Sequence, residues 1–215
     1  MTYFPFSQTA ETGEAYFTSI GLIGGSTGLA PLITNSSSIT AFSDSDGTAL
    51  IINGANAVGG DKQNAANAVS WSGYNFGSAI TKGLIVAQVM PSNSNYIGVG
   101  FHTGTLPTGA LEDSYESRFN GAGSASELHK YVGDAASVIT SATTYQNDYA
   151  DQTVFGIGIY VDGDNDVQKF FQKTGGQWVE VISGAADDHD SFQSCYLRST
   201  AESCRFICPI YCWGA

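Results

Sequence analysis

The feature that most constrains this chain is a run near its C-terminal third. Val154–Val161 is apolar, Asp162-Gly163-Asp164-Asn165-Asp166 is an acidic turn, Val167–Gln172 is apolar and aromatic, and Gly175-Gly176 precedes Trp178. Short apolar runs joined by Asp-Gly turns close as antiparallel hairpins, because Gly and Asp accept the backbone angles of tight turns. Similar runs recur: Ile39–Phe42, Ala49–Ile52, Ala68–Trp71, Gly83–Met90, Tyr96–Phe101, Ser137–Thr140, Trp178–Ile182, Cys195–Arg198 and Arg205–Tyr211. Strands at this spacing predict an all-β chain, an antiparallel β-sandwich or jelly roll. Helical periodicity is confined to Gln63–Val69 and Ser124–Ala136, so helix is expected to stay under about 15%, against roughly 30–35% in an average domain.

Length and charge narrow the class. A chain of 215 residues is long enough to bury one sizeable core. Residues 1–38, rich in Gly, Ser and Thr and led by Tyr3, Phe4 and Phe6, read as an N-terminal arm that contacts a neighbouring chain. Residues 39–215 read as the sandwich. Eight basic against twenty acidic residues give a formal charge of −12 with no basic cluster. That charge opposes nucleic-acid binding and repels an anionic membrane surface. No apolar window is long enough for a membrane helix, so membrane insertion is not expected. The start, Met1-Thr2-Tyr3-Phe4-Pro5-Phe6, lacks the basic opening of a signal peptide.

The hairpin Val154–Trp178 resembles that of concanavalin-A-like sandwiches of the laminin-G and SPRY type. Gly83–Val89 with Tyr96–Phe101 is similar to an earlier strand pair of that fold, and Arg205–Tyr211 to its final strand. Ala68–Ala79 is similar to the opening of discoidin-like jelly rolls. Both resemblances imply a module of the kind that binds glycans and that occurs in bacteriophage structural proteins. On that reading the glycan-binding residues are Trp71, Tyr74 and Trp178, with a core role as the competing assignment for Trp178.

Catalytic patterns fit poorly. The glucanases of this fold class need acidic residues at alternating positions of one strand. In Glu112-Asp113-Ser114-Tyr115-Glu116 the first two are adjacent and face opposite ways on a strand, so a solvated loop is expected there. No Gly-x-Ser-x-Gly elbow accompanies His102, His129 or His189, and His102 reads as a strand-end residue. Asp162, Asp164 and Asp166 alternate as calcium ligands do, but Val167 and Lys173 stand where an EF-hand needs Gly and Glu. They remain the candidate calcium site, with a side-chain-bonded acidic turn as the alternative.

All four cysteines, Cys195, Cys204, Cys208 and Cys212, lie in the last 21 residues. Strand neighbours four apart sit about 13 Å from each other, too far for a disulfide. The spacing therefore leads us to expect an inter-chain cross-link, with buried thiols as the alternative. An oxidising destination without a signal peptide suits a particle assembled in a host cytoplasm and freed by lysis. The sequence reading is thus a non-enzymatic virion protein: a capsid decoration, head-fibre or tail-fibre component. Its partners would be other virion subunits, as a homo-oligomer, and a cell-surface glycan. A free lectin is the alternative, and a glycan hydrolase ranks below both.

Overall fold

A computed structural model describes residues 14–22, 30–33, 41–44, 47–51, 70–90, 96–104, 113–120, 125–133, 135–142, 155–174, 177–199 and 205–215. Their elements, in chain order, are helix α1 (Glu14–Ser19) and strands β1 (Ala30–Ile33), β2 (Ala41–Asp44), β3 (Gly47–Ile51), β4 (Ser70–Ile80), β5 (Lys82–Met90), β6 (Tyr96–His102), β7 (Ser114–Asn120), β8 (Ala125–Val132), β9 (Ala135–Ala142), β10 (Phe155–Asp162), β11 (Val167–Thr174), β12 (Gln177–Ala185), β13 (Phe192–Ser199) and β14 (Arg205–Gly214). The strands form two antiparallel sheets. One runs β12-β11-β10-β5-β14-β3-β2, with β1 also on β14, and the other runs β4-β13-β6-β7-β8-β9.

Alternation builds the core. Ile97, Val99 and Phe101 of β6 meet Ile85, Ala87 and Val89 of β5 and Ile157, Ile159 and Val161 of β10 between the sheets. Odd and even residues of a strand face opposite ways, so Leu84 and Val86 point to the far side of the first sheet. There they join Phe17, Tyr160, Phe171, Trp178 and Trp213 in a second apolar cluster. Helix α1 covers that face. The Phe17 ring lies 5.1 Å from Phe171 and 5.3 Å from Trp178, both at steep angles.

The hairpin expected at Val154–Gln172 is present as β10 and β11, paired from Gly156↔Lys173 to Asp162↔Val167. Its turn places Asp166 at φ 54°, the left-handed region that Asp and Asn tolerate best after Gly. Pro209 falls where β14 slips its register against β5, between Ile207 and Tyr211. A bulge is one of the few places a strand accepts proline, which has no N–H to donate.

Two expectations are corrected. Ser124–Ala136 is not helical: β8 occupies Ala125–Val132, and Gly133, at φ 53°, turns the chain into β9. Its 3.6-residue apolar pattern was accidental, and cross-strand pairing outweighed it. Ser114–Glu116 opens strand β7 rather than lying in a solvated loop. The described parts of residues 1–38 belong to this chain's own sandwich, through α1 on the first sheet and through β1 on β14. Tyr3, Phe4, Phe6 and Gln63–Val69 lie outside the described residues.

Candidate functional site: a charged lattice on the six-stranded sheet

The outer face of the second sheet carries a polar lattice where a sandwich surface ordinarily carries scattered side chains. Strand register aligns it in three rows. One row is Glu127, Arg118, Gly98, Arg198 and Trp71 across β8, β7, β6, β13 and β4. The next is His129, Glu116, Gly100, Tyr196 and Gly73. The third is Tyr131, Ser114, His102, Ser194 and Asn75.

The glycines of β6 make room for it. A Cβ added to Gly98 would stand 2.5 Å from the Glu116 Oε1, and one on Gly100 would stand 2.5 Å from the Tyr115 carbonyl oxygen. Both approaches are closer than any real side chain keeps. The side chains of β7 and β13 therefore meet over a strip of bare backbone. This is a specific use of Gly inside a strand, a position it otherwise weakens.

Across that strip Arg198 Nη1 donates to Glu116 Oε2 at 2.9 Å and Oε1 at 3.2 Å, and to the Tyr131 hydroxyl at 2.9 Å. The Tyr131 hydroxyl donates to Glu116 Oε2 at 3.1 Å. Glu116 is fully buried and the Arg198 side chain is 11% exposed. Burial opposes the charge on Arg198, but Glu116, Tyr131 and Tyr196 outweigh it and hold the guanidinium above its ordinary pKa. Burial first, and then the Glu116 charge, push the Tyr131 and Tyr196 phenols well above theirs. At neutral pH both phenols are thus neutral beside a charged guanidinium.

A second cluster borders the first. Arg118 Nε donates to Glu127 Oε2 at 2.7 Å, and His129 Nε2 lies 2.9 Å from the same oxygen. The Arg118 guanidinium sits over the Tyr96 ring at 4.3 Å, within cation–π range. Tyr96, Arg118 and Glu127 are only partly buried and form the open margin of the lattice. His129 Nδ1 and His102 Nε2 are buried with no hydrogen-bond partner among the described residues.

The arrangement presents donors and acceptors in a fixed array on rigid strands. The Ser114 hydroxyl is shared with the Tyr196 hydroxyl at 3.3 Å, and Ser194 donates to the Gly104 carbonyl at 3.0 Å. Among the described residues, neither engages a histidine. His102 ends β6, as expected, and its Nδ1 accepts from the Gly104 amide at 3.0 Å.

The candidate residues from sequence scatter. Trp71 takes a register position in the first row of the lattice, beside Arg198, whereas Tyr74 pairs with Cys195 in a core row. Their side chains lie outside what the structure describes. Trp178 takes the core role that competed with the platform assignment: it is 6% exposed and lies under Phe17.

Asp162 and Asp164 converge on a cation already in the chain. Lys82 Nζ lies 3.3 Å from Asp162 Oδ2 and 3.5 Å from Asp164 Oδ2, and Asn165 Nδ2 donates to Asp162 Oδ2 at 3.0 Å. Asp166 instead accepts the Ala186 amide at its backbone carbonyl, 3.2 Å away. No group of three His, Cys, Asp or Glu side chains among the described residues is arranged to hold a metal ion.

Cys195 and Cys212 are both buried in the core between the sheets. Cys208 lies on β14 beside the bulge, and Cys204 is outside the described residues.

Sequence reasoning missed Glu116, Arg118, Glu127, His129, Tyr131, Tyr196 and Arg198 as a set. The available signal was Gly98-x-Gly100 inside an otherwise β-branched and aromatic strand.

No protein-family model matches the chain, and no curated protein sequence does. Solved structures match it through the fold. The carbohydrate-binding module CBM66 from Bacillus subtilis is similar over 82% of this chain and 95% of its own, at 12% identity and a TM-score of 0.52. The exoplasmic/lumenal domain of VIP36, in a Ca2+/Man-bound form, is similar over 82% and 81%, at 6% identity and a TM-score of 0.56. A legume lectin-like domain from Entamoeba histolytica is similar over 82% and 88%, at 11% identity and a TM-score of 0.50. These likenesses, together with the two antiparallel sheets, show that the chain has the β-sandwich fold that these lectin-like and carbohydrate-binding structures share.

Proposed function

We propose that this chain is a non-enzymatic glycan-binding module that uses the outer face of the six-stranded sheet. The observation that carries the reading is the lattice over Gly98 and Gly100, with Tyr96, Arg118 and Glu127 at its open margin. Sugar hydroxyls are bound by planar, preorganised donor and acceptor pairs beside an aromatic ring, and specificity comes from a few fixed polar groups. Arg118 and Glu127 supply such a pair, Tyr96 the ring, and Trp71 the aromatic position at the other end of the same row. Arg118 and Arg198 each already face a glutamate, so the reading favours neutral rather than anionic glycans. Glu116 and Glu127 are each held by an arginine, and neither is taken as a catalytic acid.

Within that reading we place the chain as a homo-oligomeric structural component of a phage particle. The support is compositional: charged residues are 13% of the chain, and 26 glycines suit a surface covered by neighbouring subunits. A free lectin would share the site and differ in assembly. Calorimetry and a glycan array with neutral and sialylated oligosaccharides test the binding role. Binding of a neutral glycan, weakened at least tenfold by Arg118→Ala with the far-UV circular dichroism spectrum of the folded chain retained, is the expected result. No binding at millimolar concentration, or release of new reducing ends, would overturn it. Native mass determination tests the assembly, where a monomer at all concentrations refutes the virion placement.

A further inference from the structure

The six-stranded sheet ends on β9, and that edge differs from the others. Among the described residues β9 has a neighbouring strand, β8, on one side only. On an edge strand every second residue turns its N–H and C=O away from the neighbour, a template on which another strand can pair. Proteins guard such edges with charge, proline, irregular backbone or short length. The other described edges carry these guards. β1 contains Pro31, and β2 is four residues long and ends on Asp44. β4 slips its register against β13 and holds Gly77 at φ 78°, and β12 carries Glu180. β9 reads Ala135-Ala136-Ser137-Val138-Ile139-Thr140-Ser141-Ala142, without charge, proline or glycine. Its irregularity is a bulge at Ile139, between the Leu128↔Thr140 and His129↔Val138 pairs. Ile139 packs against the core, which leaves Ala135–Val138 as a regular, exposed run. Val138 is 52% exposed.

We propose that this edge is the interface with a second copy of the chain, in which two β9 strands pair antiparallel about a two-fold axis at Ser137. The inference rests on the homo-oligomeric placement proposed above and names its surface. Register decides the centre. A two-fold axis normal to the sheet sets residues of the same face opposite each other. Ala136 and Val138 pair with Tyr131 and His129 on the outer face, whereas Ala135 and Ser137 pair with Val132 and Lys130 on the other. With Ser137 at the centre, Ala136 of each copy stands opposite Val138 of the other, both outward, and the two Ser137 side chains meet. With Val138 at the centre, Ala136 would meet Thr140, which pairs with the core residue Leu128 and so lies on the wrong face. The run complements itself, small side chain against branched one. It also adds no charge to a contact between two chains of formal charge −12 each. This self-match singles out a second copy as the occupant.

The axis keeps both outer faces on one side. The two lattices then lie side by side, with the two β8 strands three strand spacings, about 14 Å, apart. One dimer presents two glycan sites to the same surface, and a multivalent glycan is held more tightly than one site alone holds it.

The test is sedimentation of the full chain from micromolar to near-millimolar concentration, with two cysteine variants as reporters of register. Self-association that Val138→Lys weakens at least about tenfold, with the far-UV circular dichroism spectrum retained, is expected, because a lysine on an edge strand opposes pairing. Ser137→Cys places two thiols on the axis, with Cα atoms about 4.5–5.5 Å apart and within disulfide reach. Ala135→Cys places them about 14 Å apart, beyond it. Under mild oxidation Ser137→Cys should run at twice the chain mass on a non-reducing gel, well above any level seen with Ala135→Cys. Self-association that Val138→Lys leaves unchanged, or equal cross-linking of the two cysteine variants, overturns the β9 interface while the oligomeric placement stands. A wild-type chain that stays monomeric throughout overturns both and leaves the edge to a partner of another kind.

Discussion

Removing the Glu116 carboxylate tests the lattice most directly. Glu116→Ala deletes the acceptor of the Arg198 bonds at 2.9 and 3.2 Å and of the Tyr131 bond at 3.1 Å. The guanidinium, with 11% of its side chain exposed, then keeps its charge without its carboxylate. Breaking one side of a buried pair costs about 3–5 kcal/mol, because the remaining charge has left water without compensation. The sum of lost bonds agrees, since hydrogen bonds to charged groups contribute about 1.5–3 kcal/mol each and share one desolvation. Urea unfolding followed by far-UV circular dichroism should show the midpoint falling by about 1.5 M at unchanged slope. Glu116→Leu combined with Arg198→Met should recover most of the loss, because the pair removed together leaves no orphan charge. The deficit of Glu116→Ala should also survive 1 M salt, which screens exposed pairs far more than buried ones. A loss below about 1 kcal/mol, or one that disappears in salt, would refute the buried-network reasoning.

Two further outcomes follow from other parts of the structure. Phe17→Ala removes the fully buried ring between Phe171 and Trp178, and should cost about 3–5 kcal/mol with a red shift of tryptophan emission. The shift should be independent of protein concentration, because α1 covers its own chain; a concentration-dependent effect would return the arm to a neighbour. Lys82→Met acts through Asp162. Burial pushes that carboxyl up, but Asn165 and Lys82 outweigh it and hold its pKa below the ordinary 3.8. A depressed folded pKa means stability present above the unfolded value and lost as pH falls through the folded one. The melting-temperature gap between wild type and Lys82→Met should be full at pH 6 and shrink below about pH 4. A gap unchanged down to pH 2 would disprove the linkage.

The sequence alone determined that the chain is all-β and where most strands lie. Alternating apolar residues and Gly, Asp and Asn turns act within a few residues, so β5, β6 and β10 to β14 were legible from local pattern. The Asp162–Val167 turn was legible for the same reason. β7 and β8 were not, because Glu116, Arg118, Glu127 and His129 interrupt the apolar alternation that marks a strand. Those four residues are also the lattice, so the site lay hidden in the segments whose pattern its own chemistry disguised. Only the tertiary structure could bring Arg198 to Glu116, 82 residues away, and set Phe17 over Trp178. Each of those contacts depends on strand order and register, which no local run of residues encodes: pairing between distant strands is chosen by the free energy of the whole buried core.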